Sequence, residues 1–221
     1  MEQEPYRRLL KLCAIVLAVG AILVTVCFYF IDRPVARRVH EEQTSRIDVL
    51  RWITLVPPVF QAWAPAVLAM LIVLRAFRPW SHFARALLAA CVAIVLADQA
   101  RESLAYLFGR YWPDTWINNN PSLIQNDAYG FHPFHSGSAY MSFPSGHMAR
   151  TLAAMTVLAV AWPRGRWPAI GISLLMAVSL VGMNYHFVGD CVAGSAVGIV
   201  FGLAAARVAD VETLAIQRTV G

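Results

Sequence analysis

Apolar residues fall in six long runs separated by polar turns, at about 9–31, 54–74, 86–108, 145–162, 167–185 and 191–207. A helix needs roughly 17–25 mostly apolar residues to cross the hydrocarbon core of a bilayer. The pattern therefore predicts six membrane-spanning helices. The first run is interrupted by Lys11 alone and follows Arg7 and Arg8; with no small-residue cleavage site after a short core, it reads as an uncleaved anchor. Between the first two runs, residues 32–52 place Val35, Val39, Ile47 and Leu50 at the spacing of one helix face. An amphipathic helix lying in the membrane interface is expected there. The longest polar segment, 109–143, joins the third run to the fourth, and a tight turn at 186–190 joins the fifth to the sixth. The expected fold is all-α: an integral membrane bundle of six transmembrane helices with an interfacial helix and a long extracytoplasmic loop, forming one domain over residues 1–221.

Composition agrees with this. The chain is 58% apolar and only 14% charged, where a soluble domain carries about a quarter charged residues. The net charge of +5 comes from arginines scattered at the ends of the runs, which argues against a nucleic-acid surface. Ten of the eighteen Lys and Arg residues lie at the N-terminus, at 75–85, at 164–166 and near the C-terminus, all on one side of a six-span chain. By the positive-inside rule that side is cytoplasmic. The segment 32–52 dissents with five arginines, but its four acids nearly cancel them. Cys13, Cys27, Cys91 and Cys191 sit in or beside apolar runs, without metal-like spacing, and read as buried hydrophobes.

The candidate chemistry begins at Ser142-Phe143-Pro144-Ser145-Gly146-His147, where the polar segment meets the fourth run. Ser145 suits a helix cap, and Gly146 permits close approach to the backbone. Such a helix start caps an ordinary span, or it offers free N–H groups and a positive dipole end to an anion such as phosphate. The second constellation is His186-Phe187-Val188-Gly189-Asp190. Spacing of four predicts His186 and Asp190 one turn apart on a helix face, where the carboxylate fixes the tautomer and leaves Nε2 free as a nucleophile. The same pair also reads as a polar cap at the membrane surface.

Taken together, Pro144-Ser145-Gly146-His147, His186-x-x-x-Asp190 and Gly194, preceded by Phe108-Gly109-Arg110-Tyr111-Trp112-Pro113, resemble the type 2 phosphatidic acid phosphatase superfamily. The motifs cover about 98–198. The resemblance implies that His186 attacks phosphorus and forms a phosphohistidine, that Asp190 orients it, and that His147 protonates the leaving alkoxide and then helps water attack. Ser145 and Gly146 would hold phosphoryl oxygens. Three cations of the family pattern are missing. The Lys and Arg of its first motif fall on Ala105 and Trp112, and the Arg of its third motif falls on Leu180. Arg101, Arg110 and Arg150 are the candidate replacements, although Arg101 is also spaced to pair with Asp98 and Arg110 to snorkel at the interface. His132 and His135 have no acidic ligand nearby, so no metal and no other cofactor is expected.

The expected function is hydrolysis of a lipid phosphate or diphosphate monoester at the outer face of a bacterial inner membrane, with bilayer lipid as the partner and no nucleic acid or obligate protein partner. A phosphotransferase using the same intermediate, or a non-catalytic lipid-binding or transport protein, are the alternatives. The arginine distribution makes a direct prediction. In a Cys-free background, single cysteines within 114–140 should react with an impermeant thiol reagent in intact, outer-permeabilised cells, and a cysteine at position 164 should not. The opposite labelling pattern would reverse the orientation.

Overall fold

The computed structural model describes residues 3–116 and 118–211. Helix α1 (Gln3–Val26) does not stop where the apolar run ends. It passes through a π-helical turn, Cys27–Ile31, into α2 (Asp32–Glu41), giving one continuous 36-residue helix over Tyr6–Glu41. That helix is about 54 Å long at 1.5 Å per residue, well beyond the ~30 Å hydrocarbon core, so α2 is its polar extension. The wide turn sets the helix phase. Asp32 and Ala36 face the protein, 1% and 3% exposed, while Arg33, Arg37 and Arg38 face outward. The segment expected to form a separate interfacial helix is thus helical and amphipathic, but it is shared between α2 and a short α3 (Asp48–Thr54) that leads into α4 (Val56–Arg75).

The remaining helices are α5 (His82–Phe108), the single-turn α6 (Leu123–Asn126), α7 (Gly146–Ala161), α8 (Arg166–Gly182) and α9 (Val188–Val208). Among the described residues, five helical stretches are long and apolar enough to cross a membrane. The sixth apolar helix, α7, has 16 residues, about 24 Å of rise. The chain is an all-helical membrane bundle. The Arg218 counted in the charge asymmetry lies outside the described residues.

Small residues bring α5, α7 and α9 together. Ala93, Ala97, Ala149 and Ala153 are fully buried among them. Gly194, Gly198 and Gly202 form one stripe along α9, where added Cβ atoms would meet the backbone of Ser145, the backbone of Ala149 and Ala153, and the side chain of Thr156. Without side chains between them the two helices approach to backbone contact, which inside a bilayer replaces the hydrophobic drive that lipid cannot supply. At one end of the bundle His82 Nε2 lies 3.0 Å from the Ala161 carbonyl. At the other end the long loop, the α8–α9 turn and α2 converge. There Asn184 Nδ2 donates to the Ala36 carbonyl at 3.1 Å, and the Tyr129 hydroxyl donates to the Phe28 carbonyl at 2.7 Å.

Gly109 makes that convergence possible. It ends α5 at φ +50°, where an added Cβ would collide with the His132 carbonyl, and it turns the chain so that Arg110 enters the protein. The glycine stripe generates a prediction for the fold. Gly198→Ala should lower stability by about 1–3 kcal/mol through overpacking against the α7 backbone, read as a lower thermal midpoint in detergent. Gly171→Ala, inside α8 with open space around its added Cβ, serves as the control and should hold or raise the midpoint, because alanine favours a helix over glycine by about 1 kcal/mol.

Candidate active site

Ser145 caps α7. Its backbone N–H donates to the Asp190 carbonyl at 3.0 Å, and its Oγ accepts the Met148 N–H at 3.4 Å. The next residue shows why glycine stands there. A Cβ at Gly146 would lie 2.9 Å from Arg101 Nε and 2.9 Å from a terminal nitrogen of Arg150. Two guanidinium groups from α5 and α7 therefore close on the positive end of α7. Each is anchored by one carboxylate. Arg150 Nε donates to Asp98 Oδ1 at 2.8 Å, and Arg101 donates to Glu102 Oε1 at 2.9 Å. Asp98 also accepts from Gln61 Nε2 at 2.5 Å, so its partners are Arg150 and α4, not Arg101. Arg101 Nε is buried with no hydrogen-bond partner. Like charges gathered around unsatisfied donors make this a place for an anion.

His147, the second residue of α7, brings its ring to 6.0 Å from that of His186. His186 and Asp190 do not share a helix face. His186 lies in the turn before α9, after Asn184 in the left-handed region at φ +55°, and extended Phe187 caps the helix. The turn lets the imidazole project beside the α7 start, whereas a helical His186, as the spacing of four predicts, would stack above Asp190. Trp112, on the loop, sits with its ring 5.2 Å from His186, and its indole N–H donates to the Ser138 carbonyl at 2.7 Å. Asp190 Oδ2 accepts the Phe187 N–H at 3.0 Å and the Ser142 hydroxyl at 2.6 Å, and lies 3.7 Å from His186 Nδ1. At that distance His186 Nδ1 is buried with no hydrogen-bond partner.

Arg110 occupies a different place from the anion-binding position expected of it. Its guanidinium is completely buried behind Asp190. One nitrogen donates to Asp190 Oδ1 at 2.5 Å, and the other to Asp32 Oδ2 at 2.7 Å and to the Tyr129 hydroxyl at 3.0 Å. Burial disfavours its charge, but the Asp190 and Asp32 carboxylates outweigh burial and raise its pKa above the ordinary arginine range. Burial also pushes the Tyr129 phenol up, so it remains a neutral hydrogen-bonding partner. The family positions that lack cations are filled with packing: Ala105 is 1% exposed, and Leu180 is fully buried against Met148, Met176 and Cys191.

The fold therefore brings His147, His186, Asp190, Ser145, Gly146, Arg101 and Arg150 together, and sets Arg110 behind them. Sequence reasoning missed Asp32, which lies in the arginine-rich stretch read as interfacial, and gave no role to Ser142. A lone acid directly after an apolar run was the available signal for Asp32. Among the described residues no three His, Cys, Asp or Glu side chains gather as a metal site. An apolar groove of about 580 Å³ runs between α4, α5, α7 and α8, and among the described residues Arg150 is the one charged side chain in its lining.

Residues 80 in number align at 35% identity with a lipid A 1-phosphatase of Rhizobium johnstonii, covering 36% of this chain and 33% of that protein. A lipid A 1-phosphatase of Rhizobium etli aligns at 34% identity over 80 residues, 36% of this chain and 34% of that protein. The matched region thus spans about a third of the length of these curated relatives. No solved structure gives a significant match. The model of the PAP2 superfamily matches residues 86–213, more than half of the chain, taking in α5 from Ala86 on and the whole of α7 and α9. This chain belongs to the PAP2 superfamily.

Proposed function

We propose that the chain hydrolyses the phosphate monoester of a membrane lipid at the extracytoplasmic face, through a phosphohistidine on His186. The observation that carries this reading is the convergence of Arg101, Arg150 and the α7 N-terminus on Gly146, with the Arg101 Nε donor left unpartnered. A tetrahedral phosphoryl group satisfies those donors. His186 Nε2 then attacks phosphorus as the bond to the lipid oxygen breaks, and His147 gives that oxygen a proton. Water attacks the phosphohistidine next, loses its proton to His147, and releases phosphate with the neutral His186 restored. Arg101 and Arg150 hold the equatorial oxygens, where charge accumulates. The apolar groove that reaches Arg150 offers a lipid chain a path beside the phosphate. The relatives' name makes the 1-phosphate of lipid A the first substrate to test.

Purified protein should release phosphate from at least one member of a lipid phosphate panel. His186→Ala should abolish turnover, and His147→Ala should lower kcat by about 10²–10⁴, with both variants monodisperse. Activity within tenfold of the parent in either would remove the histidine mechanism.

The two arginines generate a separate expectation. A charge-assisted hydrogen bond contributes about 1.5–3 kcal/mol, so Arg101→Ala or Arg150→Ala should lower kcat/KM by roughly ten- to a hundredfold or more. Inhibition by inorganic phosphate should weaken in parallel. If Arg150 serves only to tie α7 to Asp98, its removal will instead lower the thermal midpoint while phosphate inhibition stays unchanged.

A further inference from the structure

Asp32 lies outside the residues matched by the family model and comes from the first transmembrane helix, yet it is built into the back of the site. It is 1% exposed. Its Oδ1 accepts the Gly189 N–H at 2.9 Å, in the first turn of α9, and its Oδ2 accepts from Arg110 at 2.7 Å. Arg110 in turn holds Asp190, whose other oxygen faces His186 Nδ1. The rings of Phe28, Tyr129, Phe131 and Phe187 surround the guanidinium, with centroids 5.4, 5.2, 5.0 and 4.3 Å from its central carbon. Water has little access to this cluster.

The charge count is informative. Two carboxylates share one guanidinium; ionised, they leave one negative charge in excess in a low-dielectric setting, and burial together with the Asp190 charge pushes the Asp32 carboxyl above its ordinary range. Arg101 and Arg150 are committed on the Gly146 side, and His147 faces His186 from α7. The His186 ring, beside Asp190, is the neighbour placed to carry the missing positive charge. It gains that charge when Nε2 bonds to phosphorus while Nδ1 keeps its proton.

We propose that Asp32 is a positioning residue for phosphoryl transfer: through Arg110 and Gly189 it fixes Asp190 and supplies the excess negative charge that matches the cationic ring formed on His186. This rests on the histidine mechanism proposed above. Asp32 touches no substrate. Its effect belongs to the transition state and the intermediate, where the ring is charged, and not to binding of the anion at Arg101 and Arg150.

The test uses Asp32→Asn, which keeps the volume and the acceptor for Gly189 while removing the charge. The readouts are steady-state hydrolysis of a lipid phosphate and inhibition by two probes. Vanadate bonds to the attacking histidine and mimics the transition state, whereas inorganic phosphate samples anion binding alone. Asp32→Asn should lower kcat by about tenfold or more and weaken vanadate by a similar factor, with KM and phosphate inhibition within about twofold. Gly189→Ala is the second variant. Its Cβ would fall 2.9 Å from Asp32 Oδ2, so it should displace the carboxylate and give the same pattern with all charges present; it carries the test if Asp32→Asn does not yield monodisperse protein. A folded Asp32→Asn with kcat within about twofold of the parent overturns the inference. So does weakening of vanadate and phosphate together, which would mean general disruption of the site. A parent that releases no phosphate and binds no vanadate overturns the histidine mechanism itself, and Asp32's role with it.

Discussion

Backbone contact between the starts of α7 and α9 is the constraint on which the site depends. The Ser145 N–H donates to the Asp190 carbonyl, and Gly194 leaves no room for even a methyl group against Ser145. Because the two helix starts touch, His147, two residues after one cap, faces His186, the residue just before the other. No side chain spans the distance, so no rotamer change can loosen it. The glycine stripe carries the contact down both helices, and the alanine-rich face of α5 closes the third side with Arg101 already in place.

Around the histidine pair the charges divide into two systems. In front, Arg101 and Arg150 crowd the positive end of α7, each paired with one carboxylate and Arg101 keeping an unpartnered Nε donor. Behind, the Asp32 and Asp190 carboxyls share the single Arg110 guanidinium. Charges are costly within a membrane bundle and persist where they are paired or functional. Breaking a buried ion pair by removing one partner typically costs about 3–5 kcal/mol, so each half of this arrangement is held by the other members of its cluster. The polarity runs from anion-binding front to anionic back, with His186 between them, and it suits a ring that must become cationic while the group it attacks loses its leaving oxygen.

The loop between α5 and α7 does more than connect. Arg110 is the first residue after the Gly109 turn and pairs in extended conformation with Phe131 and Met141. That pairing drives its side chain inward and brings Trp112 over His186. The aromatic residues of the loop close the cluster against water, and the Tyr129 hydroxyl links Arg110 to the backbone of the π-helical turn. The first helix, otherwise a lipid-facing anchor, becomes part of the site through this one junction.

The sequence by itself determined the membrane bundle, the ends of most of its helices to within a few residues, the cap at Ser145 and, through two short motifs, the family. Those features are local: hydropathy over twenty residues, a serine before a helix, a short motif. It did not determine where the cations go. Arg101, Arg110 and Arg150 were equal candidates by spacing, and only the packing of α5 against α7, and the positive φ of Gly109, turned two of them to Gly146 and buried the third. The sequence placed His186 both in a tight turn and on a helix face with Asp190, and could not choose between them, because that depends on Asn184 bonding to α2. Asp32 was hidden for the same reason. Its partners lie 78 and 157 residues away, and a carboxylate that meets its cation across such a separation has no signature in the chain around it. Composition and periodicity report what each segment meets on average, water, lipid or protein; which charge meets which is decided when the helices close.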